Sequence, residues 1–244
     1  MKLSIVTTLY QSAFYIEEFV RRVSVEAKKI TDDYEIVMVD DGSPDNSLIT
    51  ACRLGESDPH IRIIELSRNF GHHKAMMTGL DYARGDLVFL IDVDLEEPPE
   101  LLTVFHDEMK KGEWDVVYGI QKERKGGLVK KFGGRFGWWL IKLLVPVGIP
   151  VNLCTVRLMR SSYVHQLTRH KEQMTAISGL CVLTGFRQHG LQFDKLSRQE
   201  SSYSFVKRLK ALLDSVTSFS HVPLYGVFFL GLAIFFMSFL VTVA

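Results

Sequence analysis

Apolar and polar positions alternate between two periods along the first half of the chain. Short apolar runs closed by polar turns predict buried strands at residues 3–8, within YEIVMVDDGS (34–43), at IRIIELS (61–67), at 87–92 and within WDVVYGI (114–120). Between them the spacing becomes helical. Residues 14–29 place Phe14, Phe19, Val20 and Val23 on one side, 45–55 start at Asp45 as an N-cap, 73–84 stop at Gly85, and 98–111 carry Pro98 and Pro99 near their start. Strand alternating with helix predicts an α/β fold with an open, mostly parallel sheet and helices on both faces. Ligands of such sheets bind beyond the carboxyl ends of the strands. Two predicted strands end in acids there, Asp40-Asp41 and Asp92-Val93-Asp94, so the two pairs are expected to share one cleft.

The pattern changes after residue 121. Residues 122–135 are basic and glycine-rich, with Lys122, Arg124, Lys125, Lys130, Lys131 and Arg135 among Gly126, Gly127, Gly133 and Gly134, and are read as a loop. FGWWLIKLLVPVGIPV (136–151) suits a helix lying at a membrane surface with its tryptophans at headgroup level, or a core helix, because Trp and Leu fill either place. Residues 205–221 predict an amphipathic helix, basic at its start. From 222 to 244 no residue is charged, and as a helix this run would span roughly 30 Å, so a transmembrane helix is expected in preference to a core helix. It is either the last span or the first of several. The resulting division is a core at 1–121, a second region with the basic loop and interface helix at 122–204, a juxtamembrane helix at 205–221 and the span at 222–244. MKLSIVTTLYQ has neither the apolar core nor the cleavage site of a signal peptide.

Composition narrows the function classes. At 47% hydrophobic and 23% charged, the chain is not of the disordered class. A net charge of +1 argues against a general nucleic-acid binder. Cys52, Cys154 and Cys181 are far apart, form no CxxC, and are expected to be reduced and mostly buried.

The chemistry-bearing stretch is LVFLIDVDLEEPPELL (87–102). Two carboxylates one residue apart at a strand end are hard oxygen ligands suited to Mg²⁺ or Mn²⁺, ions that bind through one or two carboxylates plus substrate phosphates. Such a site implies a diphosphate ligand. Taken alone, the acids could equally face the dipole of the helix starting near Pro98. Glu96 and Glu97 are expected behind the metal ligands or simply in solvent. Adjacent His72 and His73 cannot face one metal from a helix and are read as residues that start one, without a ligand. Asp41-Gly42-Ser43 could be a plain turn, and Arg157 a surface cation.

Several segments occur in an order that carries a resemblance. SIVTTLYQ, EIVMVDDGSPDNS, LSRNFGHHKAMMTGLDYARGDLVFLIDVDLEEPPELL, VRLM and ESSYSFVKRLKALLDSVTSFSHVPL together resemble the family 2 glycosyltransferases with the Rossmann-like GT-A fold. Within that family the chain is most similar to the membrane-anchored polyprenyl-phosphate glycosyltransferases, the group that includes dolichol-phosphate mannose synthase. The resemblance implies that Thr8 and Tyr10 line the base pocket and that Asp40 and Asp41 hold base and ribose. Asn69, Gly71 and Lys74 would lie near the donor, and Asp92 and Asp94 would carry the nucleotide contact and the metal. Arg157 would approach the acceptor phosphate, Lys130, Lys131 and Arg135 would attract it, and Arg198, Ser202 and Tyr203 would belong to a loop closing over the diphosphate. The chain departs from the family pattern at Thr155, where many relatives carry an acid, and at Leu196 and Gln199, where they carry arginine and glycine.

The expected activity is inverting transfer of a sugar from a UDP-, GDP- or dTDP-linked donor to an undecaprenyl or dolichyl phosphate. Mg²⁺ or Mn²⁺ would be the cofactor. The protein would sit in the cell (inner) membrane with its catalytic part in the cytoplasm, serving cell-envelope polysaccharide synthesis. Nucleic acid is not an expected partner, and a homo-oligomer is allowed. The acceptor phosphate is already an anion at neutral pH, so no strong base is needed. Transfer to a sugar hydroxyl would need one, and would be accompanied by a Q-x-x-R-W motif that the sequence lacks. An inactive membrane-anchored nucleotide-sugar binder is the third reading.

Overall fold

The computed structural model describes residues 1–122, 150, 152–170, 177–195 and 222–243. The basic loop, most of the expected interface helix, the juxtamembrane helix, and Lys130, Lys131, Arg135, Arg198, Ser202 and Tyr203 lie outside the described residues. The chain divides into two compact units, Met1–Arg124 with Pro150–Glu200 and Lys125–Ile149 with Ser201–Ala244.

The first unit holds β1 (Leu3–Leu9), α1 (Ile16–Ile30), β2 (Tyr34–Asp40), α2 (Ser47–Ser57), β3 (Ile61–Glu65), α3 (His72–Tyr82), β4 (Leu87–Leu90), α4 (Leu101–Gly112), β5 (Val116–Gln121), β6 (Leu153–Arg160), α5 (Ser161–Leu167), α6 (Ile177–Leu183) and β7 (Gln188–Phe193). The strands form one sheet in the order β3-β2-β1-β4-β6-β5-β7. β1 to β4 are parallel, β6 runs antiparallel between β4 and β5, and β7 is parallel to β5. The sheet is therefore mixed but mostly parallel, and β6 and β7, from beyond residue 122, complete it.

Every residue of β1 and β2 is buried, as a parallel strand covered on both faces requires. One face packs Leu3, Ile5 and Leu9 against Phe19 and Val23 of α1 and Leu102 and Phe105 of α4. Each such large side chain contributes roughly 1.5–3 kcal/mol on burial. On the other face α3 comes down on Val6 and Val39 at Gly79, where a Cβ would lie 2.5 Å from Val6 Cγ1.

Local expectations shift in detail. α3 stops at Tyr82, three residues before Gly85, because Ala83 turns extended. α2 starts at Ser47, two residues after Asp45 and with Asn46 at the N-cap position, and the Asp45 carboxylate nevertheless accepts from the Ser47 amide and hydroxyl. α4 begins at Leu101, leaving Pro98 and Pro99 in the preceding turn. All three cysteines are free, but Cys52 is exposed while Cys154 and Cys181 are buried.

In the second unit the described element is α7 (Val222–Val243). Its 22 residues make a helix of about 33 Å. Leu224–Thr242 is long and apolar enough to cross a bilayer, the one such helix among the described residues.

Candidate active site

The strand order reverses at β1, which has β2 on one side and β4 on the other. In open α/β sheets the crevice beyond such a reversal is where ligands bind. Leu9 pairs with Asp40 and Val6 with Leu90, so Thr8, Asp40 and Asp92 all emerge at this edge. Just past the strands the backbone takes left-handed conformations at Gln11 (φ 53°) and Leu95 (φ 61°), which are uncommon for such residues and collect at functional sites.

The acids at the end of β2 are held by backbone. Asp41 is buried and accepts from the amides of Phe70 (2.7 Å) and Gly71 (3.0 Å). Gly42 (φ +61°) lies beneath the same loop, where a Cβ would come 2.6 Å from the Asn69 nitrogen. Asp41-Gly42 is thus a clamp on the loop carrying Asn69 and Gly71. Asp40 accepts from the Ser43 amide through Oδ2, while its buried Oδ1 has no partner. Burial, with the charges of Glu65 and Asp45, pushes the Asp40 carboxyl above the ordinary value.

The acids after β4 are crowded and depend on cations. Burial works against the Asp92 carboxylate, but His72 at 3.3 Å, Lys195 and the neighbouring Thr155 outweigh it and hold its pKa below the ordinary range. Thr155 arrives through β6. Arg157 pairs with Leu90 in the antiparallel register, so two residues further Thr155 is level with Asp92. Asp94 accepts from the Glu96 amide at 3.0 Å, yet burial together with the charges of Asp92 and Glu96 raises its pKa. Glu97 is not solvated: it is 0% exposed, with neither carboxylate oxygen hydrogen-bonded. Burial and then Asp92 push it up to about 7. Lys195 supplies local positive charge, 3.2 Å from Glu96 and 3.8 Å from Glu97.

Arg157 is 2% exposed, so it is no surface cation. Its guanidinium donates to the carbonyls of Thr155 (3.0 Å) and Cys154 (3.2 Å) and touches the Cys181 thiol. No carboxylate pairs with it among the described residues. Tyr10, Asn69 and Lys74 are exposed on the rim.

The structure brings Thr8, Asp40, Asp41, Asp92, Asp94 and the loop of Asn69 and Gly71 to one edge. Sequence reasoning did not name Lys195, left Glu97 either behind the metal ligands or in solvent, and read His72 as a helix-start residue without a ligand. A helix-start histidine next to a strand-end acid was the available signal for His72, but nothing local indicated that its ring would meet both Thr8 and Asp92. A divalent ion fits this donor set. Asp92 and Asp94 are hard oxygen donors in surroundings with excess negative charge, as the raised Asp94 records. Among the described residues no group of three or more His, Cys, Asp or Glu forms a metal cage by itself, and an ion that also binds substrate phosphates does not need one.

Residues 4–168 match the family described as Glycosyl transferase family 2. A protein of Mycobacterium tuberculosis (strain CDC 1551 / Oshkosh) named "Putative glycosyltransferases" is 49% identical over 98% of this chain and 70% of its own length. The undecaprenyl-phosphate 4-deoxy-4-formamido-L-arabinose transferase of Shewanella sediminis (strain HAW-EB3) is 30% identical over 91% of this chain and 67% of its own. Among solved structures, the mannosyltransferase PcManGT of Pyrobaculum calidifontis, in complex with GDP-Man and Mn²⁺, superposes with a TM-score of 0.61 at 16% identity, over 87% of this chain and 62% of that one. That last likeness concerns the fold.

Proposed function

The chain belongs to glycosyl transferase family 2, and from that membership we propose an inverting transferase that moves a sugar from a nucleotide-sugar to the phosphate of a polyprenyl lipid. The observation that carries the acceptor assignment is Arg157. A buried guanidinium whose described partners are two carbonyls and a thiol leaves a positive charge for an incoming anion to balance. Three of its five N–H groups have partners among the described residues, so it is held in place as a fixed positive field under the acceptor side, and the basic residues Lys130, Lys131 and Arg135 make the first approach to the lipid phosphate. The name of the Shewanella relative supports undecaprenyl phosphate as the acceptor class.

In the reaction a phosphate oxygen of the acceptor attacks the anomeric carbon, the bond from that carbon to the donor diphosphate breaks, and the leaving diphosphate takes the electron pair. No proton has to move, so Thr155 in place of an acid is no obstacle. Asp40, through its unpartnered Oδ1, accepts from the base or ribose of the donor. Asp41 keeps the loop of Asn69 and Gly71 in place beside it. Asp92 and Asp94 would hold Mg²⁺ or Mn²⁺ together with the donor phosphates, and the ion would supply neutralisation of the leaving diphosphate. α7 anchors the enzyme in a membrane. Lys207, Arg208 and Lys210 precede α7 and nothing charged follows within residues 222–244, which favours a cytoplasmic catalytic unit and a cell (inner) membrane location.

The test is a transfer assay with the full chain in detergent, Mn²⁺, radiolabelled UDP-, GDP- and dTDP-sugars, and undecaprenyl or dolichyl phosphate. Label is expected in the organic phase with one donor, dependent on the lipid phosphate. Label appearing only on a saccharide hydroxyl acceptor would establish the polysaccharide reading instead, and nucleotide binding without transfer to either would establish the inactive binder.

A further inference from the structure

His72 is the first residue of α3, half-exposed, and its ring bridges two strand ends. Nδ1 lies 3.0 Å from the Thr8 hydroxyl, one residue before the end of β1. Nε2 lies 3.3 Å from Asp92 Oδ1, just past β4. An ionised carboxylate can only accept, so Nε2 carries the hydrogen, while Nδ1 accepts from the Thr8 hydroxyl in the neutral ring and donates to its oxygen in the protonated one. One imidazole therefore fills both contacts in either charge state. It ties the strand that borders Asp40 to the carboxylate on the other side of the crevice. Thr155 of β6 stands level with the same carboxylate. Asp94 accepts from the Glu96 amide at 3.0 Å.

We propose that His72 is a positioning residue of the donor site: through its ring, Thr8 and Asp92 are held in one fixed relation, so that Asp92 meets the donor's metal-bound diphosphate without reorienting. This rests on the donor-site reading given above. The ring does not act on substrate. Its effect is confined to the part of nucleotide affinity that depends on the divalent ion, because that part depends on where Asp92 points. A glutamine can reproduce both contacts, its amide nitrogen donating to Asp92 and its oxygen accepting from Thr8. An alanine reproduces neither.

The experiment is titration calorimetry on the full chain in detergent, without acceptor, using UDP, GDP and dTDP in turn. Each nucleotide is titrated once in EDTA and once in Mn²⁺, and the gain in affinity due to Mn²⁺ is compared between variants. Loss of one hydrogen bond to a charged group predicts that His72→Ala lowers this gain about tenfold, with affinity in EDTA unchanged within about threefold. His72→Gln is expected to keep the gain within about threefold of the parent. Thr8→Val, which releases the Nδ1 side alone, is expected to lower it about threefold, and to cost nothing further in the His72→Ala background. A full gain in His72→Ala, a His72→Gln as impaired as His72→Ala, or additive Thr8 and His72 effects would each overturn the positioning role. A parent protein showing no Mn²⁺-dependent gain with any nucleotide would instead overturn the donor-site reading itself.

Discussion

Asp41 and Asp94 stand in like places, each the second carboxylate after a buried parallel strand, and their surroundings are opposite. Asp41 accepts from two backbone amides of the Phe70–Gly71 turn. Asp94 has one amide and two neighbouring carboxylates, Asp92 and Glu96, and burial with that crowding raises its pKa. An acid satisfied by main chain is part of the scaffold. An acid pressed among other acids is held at a cost, and the cost is recovered when a cation arrives. The two clusters should therefore fail in different ways when altered.

The largest contrast is expected at Asp94. Asp94→Ala should lower turnover about a thousandfold, on the order of 4 kcal/mol of transition-state stabilisation. Its urea midpoint should stay unchanged or rise slightly, because a like-charge contact is removed. Unaltered transfer by this variant, or full parent activity in EDTA, would remove the metal assignment. Asp41→Ala should behave in reverse. It strands two amides and two charge-assisted hydrogen bonds, so a loss of about 3 kcal/mol in stability is expected from urea unfolding. An Asp41→Ala protein as stable as the parent would show that the loop does not depend on the clamp.

A smaller effect sharpens the comparison within the second cluster. Glu97 holds its proton more tightly when folded, raised from 4.5 to about 7. The sign follows: this contribution to stability is complete below the unfolded value and is lost as pH rises through the folded one. Parent stability should therefore fall between about pH 5 and 8, and Glu97→Gln should flatten that fall by about 2 kcal/mol. Thermal melts of both proteins across that range provide the measurement. Identical slopes would mean that Lys195 fully compensates the Glu97 charge.

Much of the fold was legible along the chain. β1 to β5 and α1 to α4 follow from short apolar runs and helical spacing, which are local signals. β6 was not legible, because LCTVRLMR places an arginine inside a strand and breaks the alternation that marks one. Arg157 is tolerated there because two carbonyls and a thiol receive it, a property of the folded surroundings. At the site, strand ends carrying acids were readable as a donor cleft. For Glu97 the chain left two places open, behind the metal ligands or in solvent, and only the start of β6 and Lys195, which cover it, decide for burial.

By itself the sequence determined the order of strands and helices as far as β5, the placing of Asp40-Asp41 and Asp92–Asp94 at strand ends, and an apolar run long enough to span a bilayer. These depend on periodicity and run length within a few residues of each position. The tertiary structure decided that β6 enters antiparallel between β4 and β5, that His72 meets Asp92, that Asp41 is a clamp, and that Glu97 lies buried beside Lys195. Each of those contacts joins residues far apart in the chain. Partner choice for a polar group is set by which donors and acceptors the packed sheet brings within about 3 Å, and no local pattern encodes that.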